Sequence, residues 1–213
     1  RLIRFLVPGT GRRYRCGGLS VELQTARLVA GLCTTEVVTY RQRQLDCAFL
    51  DDCLKAEKPD PNLLWIVSWG FDVTRLIGRL RGHRVAYHAH SSGYGFDLPS
   101  GVPVLAVSRN TLGYWGARAP RNPLCLVPNA LANQWFTRGA RGSKTARSID
   151  VLVQARKSSP YVLNDLVPAL QRAGLRVKVQ SGWVDDLVEL FNQSSVYVYD
   201  SADYWQGRGG TEG

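Results

Sequence analysis

The chain has 213 residues, 45% of them hydrophobic, and no apolar run reaches the roughly 18 residues that would mark a bilayer span. That length allows one large or two small domains. The formal net charge is +10, carried by 22 Arg and only 5 Lys; such a balance suits nucleotides, nucleic acid or an anionic membrane face, and it equally serves plain solubility.

No secretory leader pattern opens the sequence, and Arg1 is not an initiator. Methionine is absent altogether, so the chain is expected to be a piece of a longer protein. The five cysteines, at 16, 33, 47, 53 and 125, contain no C-x-x-C pair and read as reduced thiols of a cytosolic protein. No Cys/His group has zinc-ligand spacing; the only close histidines are His88 and His90, and no metal is expected.

Short apolar runs alternate with helical patterns. "LIRFLV" (2–7) ends at Pro8 and predicts a strand. "GLSVELQTARLVAGL" (18–32) has apolar residues at 19, 23, 26 and 30, one helical face, with Ser20 as the expected N-cap. "TEVVTY" (35–40) and "LLWIVSW" (63–69) predict strands, and "VTRLIGRL" (73–80) a helix. "RVAYHAH" (84–90) and "VPVLAVS" (102–108) follow as strands, then "NTLGYWGAR" (110–118) as a helix after Ser108, then "LCLVPN" (124–129) as a strand.

Residues 137–148, "TRGARGSKTARS", are small, polar and basic, the composition of a linker. The pattern then restarts with a strand at "IDVLVQA" (149–155). "SSPYVLNDLVPALQRAG" (158–174) predicts a helix capped by Ser159 and stopped by Gly174, which Pro168 kinks or delays to Asn164. A strand (176–180), a helix (184–194) and a strand (195–199) complete it. Alternating β and α elements predict parallel sheets covered on both faces, hence an α/β chain with two Rossmann-like lobes. The expected division is a first lobe over 1–136, a linker over 137–148 and the first half of a second lobe over 149–213.

Four stretches carry candidate chemistry. "VPGTGRRYRCGG" (7–18) begins like a dinucleotide fingerprint, but Tyr14 stands where the third glycine belongs, and no Walker lysine follows. What remains is a basic loop with Arg12, Arg13 and Arg15, ending in Gly17 and Gly18 at a helix start that favours an anion. "YHAHSSGYGF" (87–96) puts His90 at a strand end, where open α/β sheets bind ligands. "VQARKSSPYV" (153–162) sets Arg156 and Lys157 between a strand and a helix, adjacent cations suited to a diphosphate. "SVYVYDSADYWQGRGGTEG" (195–213) brings Asp200, Ser201 and Glu212 after a strand. Each also has a plainer reading: turning glycines, a structural histidine or ordinary loop charge.

The order of these pieces resembles the retaining glycosyltransferases of the GT-B fold, family 4 (glycosyl transferases group 1). Val7–Gly18 with the following helix is similar to that family's opening, and His90 and Val107-Ser108-Arg109 fall where it has a histidine and a "vSr" strand end. "VPNALANQWF" (127–136) keeps Pro128, Asn129 and Phe136 of its "vPNG-D--F" segment, with Ala130 in place of the glycine. Arg156-Lys157 matches its Arg-Lys pair, and "SVYVYDS…TEG" resembles the run that begins its Glu-x7-Glu motif, with Glu212 as the first glutamate and the second absent.

The resemblance implies metal-independent transfer of a sugar from a nucleotide-diphosphate sugar to an acceptor, with retention, and no cofactor. Arg156 and Lys157 would neutralise the leaving phosphates. Gly17 and Gly18 would let the backbone approach the donor or acceptor. His90 would contact the transferred sugar, and Glu212 would orient the donor. The acceptor would be a sugar, a lipid-linked molecule or a small molecule; no nucleic-acid partner is expected. A basic first lobe is compatible with peripheral contact at the inner membrane face of a cytoplasmic enzyme. The alternatives are a nucleotide-sugar epimerase of the same architecture, or a basic, non-catalytic module for an anionic surface or nucleic acid.

Overall fold

The computed structural model describes residues 1–68, 70–93, 95–131, 133–136, 147–156 and 158–200. The described residues divide into two compact units, the first over 1–131 and the second over 133–200.

The first unit is a seven-stranded sheet, parallel throughout. Its strands are β1 (Leu2–Val7), β2 (Thr34–Thr39), β3 (Ala48–Phe49), β4 (Leu63–Val67), β5 (Arg84–Ala89), β6 (Val104–Ala106) and β7 (Leu124–Leu126). They lie in the order β3-β2-β1-β4-β5-β6-β7. The order reverses between β1 and β4, so the chain leaves both carboxyl ends in diverging directions and opens the crevice where such sheets bind ligands. The helices are α1 (Gly17–Ala30), α2 (Leu50–Ala56), α3 (Val73–Arg79) and α4 (Arg109–Arg118).

Burial on both faces explains the near-continuous apolar strands. On one face Leu6, Val38, Trp65, Val67, Tyr87 and Val104 pack with Leu50 of α2, Leu76 of α3 and Trp115 of α4. On the other, Phe5, Ile66 and Ala86 pack with Ala26 of α1. Arg4 breaks the pattern of β1. Its guanidinium lies over the Trp65 ring at 5.1 Å, bonds Glu36 at 2.7 Å and takes Glu57 with both amino groups at 2.5 and 2.8 Å.

The second unit holds β8 (Ile149–Gln154), β9 (Val177–Gln180) and β10 (Ser194–Val198), parallel and in the order β10-β8-β9. Helix α5 (Val167–Arg172) covers one face through Val167 and Leu170, and α6 (Leu187–Asn192) the other through Leu190 and Phe191. Pro168 neither breaks the helix nor delays it to Asn164. Residues Val162–Leu166 widen into a π turn, in which the Val167 N–H donates to the carbonyl of Val162 five residues back. The wider turn gives room for a proline ring that would otherwise meet the carbonyl four residues before it. Gly174, at φ 81°, ends the helix in the left-handed region, as the sequence predicts.

Several boundaries differ from expectation. Helix α1 starts at Gly17, and its cap is Cys16, whose Sγ accepts from the Leu19 N–H at 3.4 Å. Ser20 lies inside the helix, and its hydroxyl bonds back to the Cys16 carbonyl. The inward stripe runs through Leu19, Glu22, Ala26 and Val29, with Ala30 exposed. Residues 41–62, given no regular structure from sequence, contain β3 and α2. Of the expected linker, 137–146 lie outside the described residues, while Arg147 bonds to Ser195 within the second unit. All five cysteines are free thiols. Among the described residues no helix is long and apolar enough to cross a membrane.

Candidate functional site

At the carboxyl edge of the first sheet, His88 is the fifth residue of β5 and His90 follows the strand's last residue. Alternation along an extended chain turns positions 88 and 90 to one face, the face that α1 covers. Glu22 comes down onto both rings from the buried stripe of α1. Its Oε2 lies 2.6 Å from His88 Nδ1 and 2.8 Å from His90 Nε2, and the two rings stand 4.3 Å apart. The Glu22 side chain is fully buried, that of His88 3% exposed and that of His90 13% exposed.

Burial pushes the Glu22 carboxyl up, but the hydrogen bonds and charges of His88 and His90 outweigh it and hold it at about 2, against an ordinary 4.5. An ionised carboxylate only accepts. Both ring nitrogens facing it therefore carry protons. Glu22 Oε1, His88 Nε2 and the Ser68 hydroxyl are buried without a hydrogen-bond partner. Ser68 belongs with them by register: Val67 pairs with Tyr87, and one residue on sets Ser68 beside His88.

Glu22, His88 and His90 each offer one ligand atom, all within 4.8 Å of one another. The expectation of no metal rested on Cys/His spacing alone, which does not register a group assembled from distant parts of the chain. A carboxylate 66 residues away in sequence completes the group. Two signals could have found it: the His-x-His spacing on a strand, and a glutamate in the apolar stripe of a helix.

The glycine loop is built around Tyr14, the residue that spoils the fingerprint. A Cβ at Gly9 would meet the Tyr14 ring at 2.6 Å, so Gly9 makes room for that ring. The Thr10 N–H donates to Gln44 Oε1 at 2.9 Å, while Tyr14 and Arg15 donate within the loop to Gly11 and Arg12. The loop thus spends these donors internally. At the start of α1, no described residue accepts the N–H of Gly17 or Gly18. Gly18 precedes Glu22 by about one helical turn, on the same side of α1 as the histidines.

In the second unit Arg156 lies just past the end of β8, the central strand, where the order β9-β8-β10 reverses. It is exposed and has no carboxylate partner among the described residues. The same loop is anchored: the Ser159 N–H and hydroxyl donate to the Asp200 carbonyl and carboxylate at 2.7 and 2.5 Å. Lys157 and Glu212 lie outside the described residues.

Much of the positive charge is locally answered. Arg41 and Arg75 pair with Asp72, Arg43 with Asp52, Arg79 with Asp51, Arg118 with Asp97 and Arg176 with Asp150. These pairs fix individual guanidiniums in place but leave the net charge at +10, which already counts the carboxylates. No protein-family profile matches the chain, and no curated protein matches it.

Proposed function

We propose that this chain transfers a sugar from a nucleotide-diphosphate donor to an acceptor, as a retaining glycosyltransferase of GT-B type. The observation that carries the reading is Arg156: an exposed guanidinium, with no carboxylate partner among the described residues, at the carboxyl end of the central strand of a parallel sheet, at its switch point. That position suits the pyrophosphate of a nucleotide, and a guanidinium offers it paired donors in a fixed fork.

As the glycosidic bond breaks, negative charge collects on the departing diphosphate. Arg156, with Lys157 beside it in sequence, takes up that charge without a metal ion and lowers the barrier because the charge is greatest at the transition state. The N–H groups of Gly17 and Gly18, at the positive end of α1, offer an anion or hydroxyl two further donors. His90, held through Nε2 by Glu22, offers Nδ1 to a sugar hydroxyl. Glu212 orients the donor in the resemblance. The acceptor is a sugar, a lipid-linked molecule or a small molecule, and an anionic membrane face is a candidate place to meet it.

A panel of nucleotide-diphosphate sugars, titrated by calorimetry, tests the reading. One donor should bind in the micromolar range, and Arg156→Ala should weaken it at least tenfold while leaving thermal stability unchanged. Failure of every donor to bind, or equal binding by Arg156→Ala, overturns the reading. Turnover of a bound donor without any acceptor would favour an epimerase instead.

A further inference from the structure

We infer that Glu22, His88 and His90 form a binding site for one borderline divalent transition cation, Zn2+ in the first instance. The site shares His90 with the sugar-transfer reading, but the cation proposal does not depend on that reading. Two imidazole nitrogens and a carboxylate oxygen are the donor set such ions prefer, whereas Mg2+ and Ca2+ ask for oxygen alone.

Three features of the cluster point to a cation. First, the ligand atoms converge. The 2.6 and 2.8 Å separations around Glu22 Oε2 need to open only to about 3.3 Å to become edges of a tetrahedron with zinc-to-ligand bonds of about 2 Å. Second, the Glu22 side chain is fully buried, and among the described residues its charged partners are the two imidazoles. A dication supplies that charge more completely than a shared proton. Third, the surroundings contain unmet polar groups. Glu22 Oε1 and the Ser68 hydroxyl are buried without a hydrogen-bond partner among the described residues, and Ser68 comes one residue after the Val67–Tyr87 pair that precedes His88.

The proton inventory closes. A neutral His88 moves its proton from Nδ1 to Nε2 when Nδ1 takes the metal, and a neutral His90 moves its own from Nε2 to Nδ1. An imidazolium releases one proton to solvent instead. The new His88 Nε2–H then needs an acceptor, as the second ring nitrogen of a metal-bound histidine ordinarily does. The Ser68 oxygen is the buried acceptor that register sets beside it. At a neutral His90, loading reverses the polarity of Nδ1 from acceptor to donor. A fourth position stays open to water or a ligand group, since these residues supply three side chains.

The test uses the untagged, chelator-washed chain. Its only other histidine is His83, whose ring packs edge-on to Trp65. On titration with Zn2+, nitrogen NMR should show His88 Nδ1 and His90 Nε2 becoming metal-bound in one stoichiometric step, with His83 unmoved. Co2+ should give visible bands of a tetrahedral nitrogen and oxygen site, without the intense near-ultraviolet band of thiolate ligation. Glu22→Gln should weaken Zn2+ at least tenfold, and His83→Gln should leave it unchanged. The proposal is overturned if millimolar Zn2+ leaves the His88 and His90 nitrogens unshifted, or if Co2+ reports cysteine ligation. Both decisive readings use the unaltered chain, so a variant that fails to fold does not protect the idea.

Discussion

The buried Glu22 carboxylate makes a quantitative demand on acid stability. Held at about 2 when folded against 4.5 when exposed, it contributes about 3 kcal/mol to the folded state near neutrality. The sign follows from the depression. The contribution is complete above the unfolded value of 4.5 and is lost as pH falls toward the folded one. Between about pH 6 and pH 3, roughly 2 of those 3 kcal/mol should disappear. Glu22→Gln has no carboxyl to titrate there, so it lacks this component while sharing every other acid-sensitive group. Urea unfolding of both proteins in EDTA, at half-unit steps from pH 6 to 3, isolates the difference. The stability gap should narrow by about 2 kcal/mol, most steeply below pH 4.5. A gap that stays constant or widens over this interval would refute the claim that this carboxylate is ionised in the folded interior.

Two further outcomes follow from packing. Arg4 is 6% exposed while Glu36 and Glu57 are 42% and 40% exposed, so the loss of one side is not equivalent to the loss of the other. Arg4→Met should cost less than about 1.5 kcal/mol, because water reaches the carboxylates left behind; Glu36→Gln with Glu57→Gln strands a buried cation and should cost about 3 to 5 kcal/mol by urea unfolding. Ser108 caps α4 by accepting from the Thr111 N–H at 3.1 Å, and Ser108→Ala should cost about 1 kcal/mol, read as a lowered unfolding midpoint.

Where the sequence carried local periodicity, the fold was legible. β1 occupies the predicted residues 2–7, and a helix follows Ser108 as predicted, with Ser108 itself as its cap. Helix α2 escaped notice because it is seven residues long and buries only Leu50 and Cys53, too few positions to show a period. The Cys16 cap escaped because a thiol is a weak acceptor and Ser20, a better one, sits four residues on. At the site, His90 was legible from its place after a strand. Glu22 was harder to read, because its partners are created by tertiary packing and its only local mark is its place in the apolar stripe of α1. The two positions that matter most to sugar transfer after Arg156, namely Lys157 and Glu212, lie outside the described residues.

The widened turn before α5 has a consequence for the loop ahead of it. One extra residue per turn rotates everything upstream by about 100° about the helix axis, relative to an unbroken α-helix. Ser159, at the head of that helix, takes its heading from this offset and from its bonds to Asp200. A proline ring at position 168 thereby bears on how the helix presents its first turn, and a substitution that let the coil tighten would turn Ser159 away from Asp200.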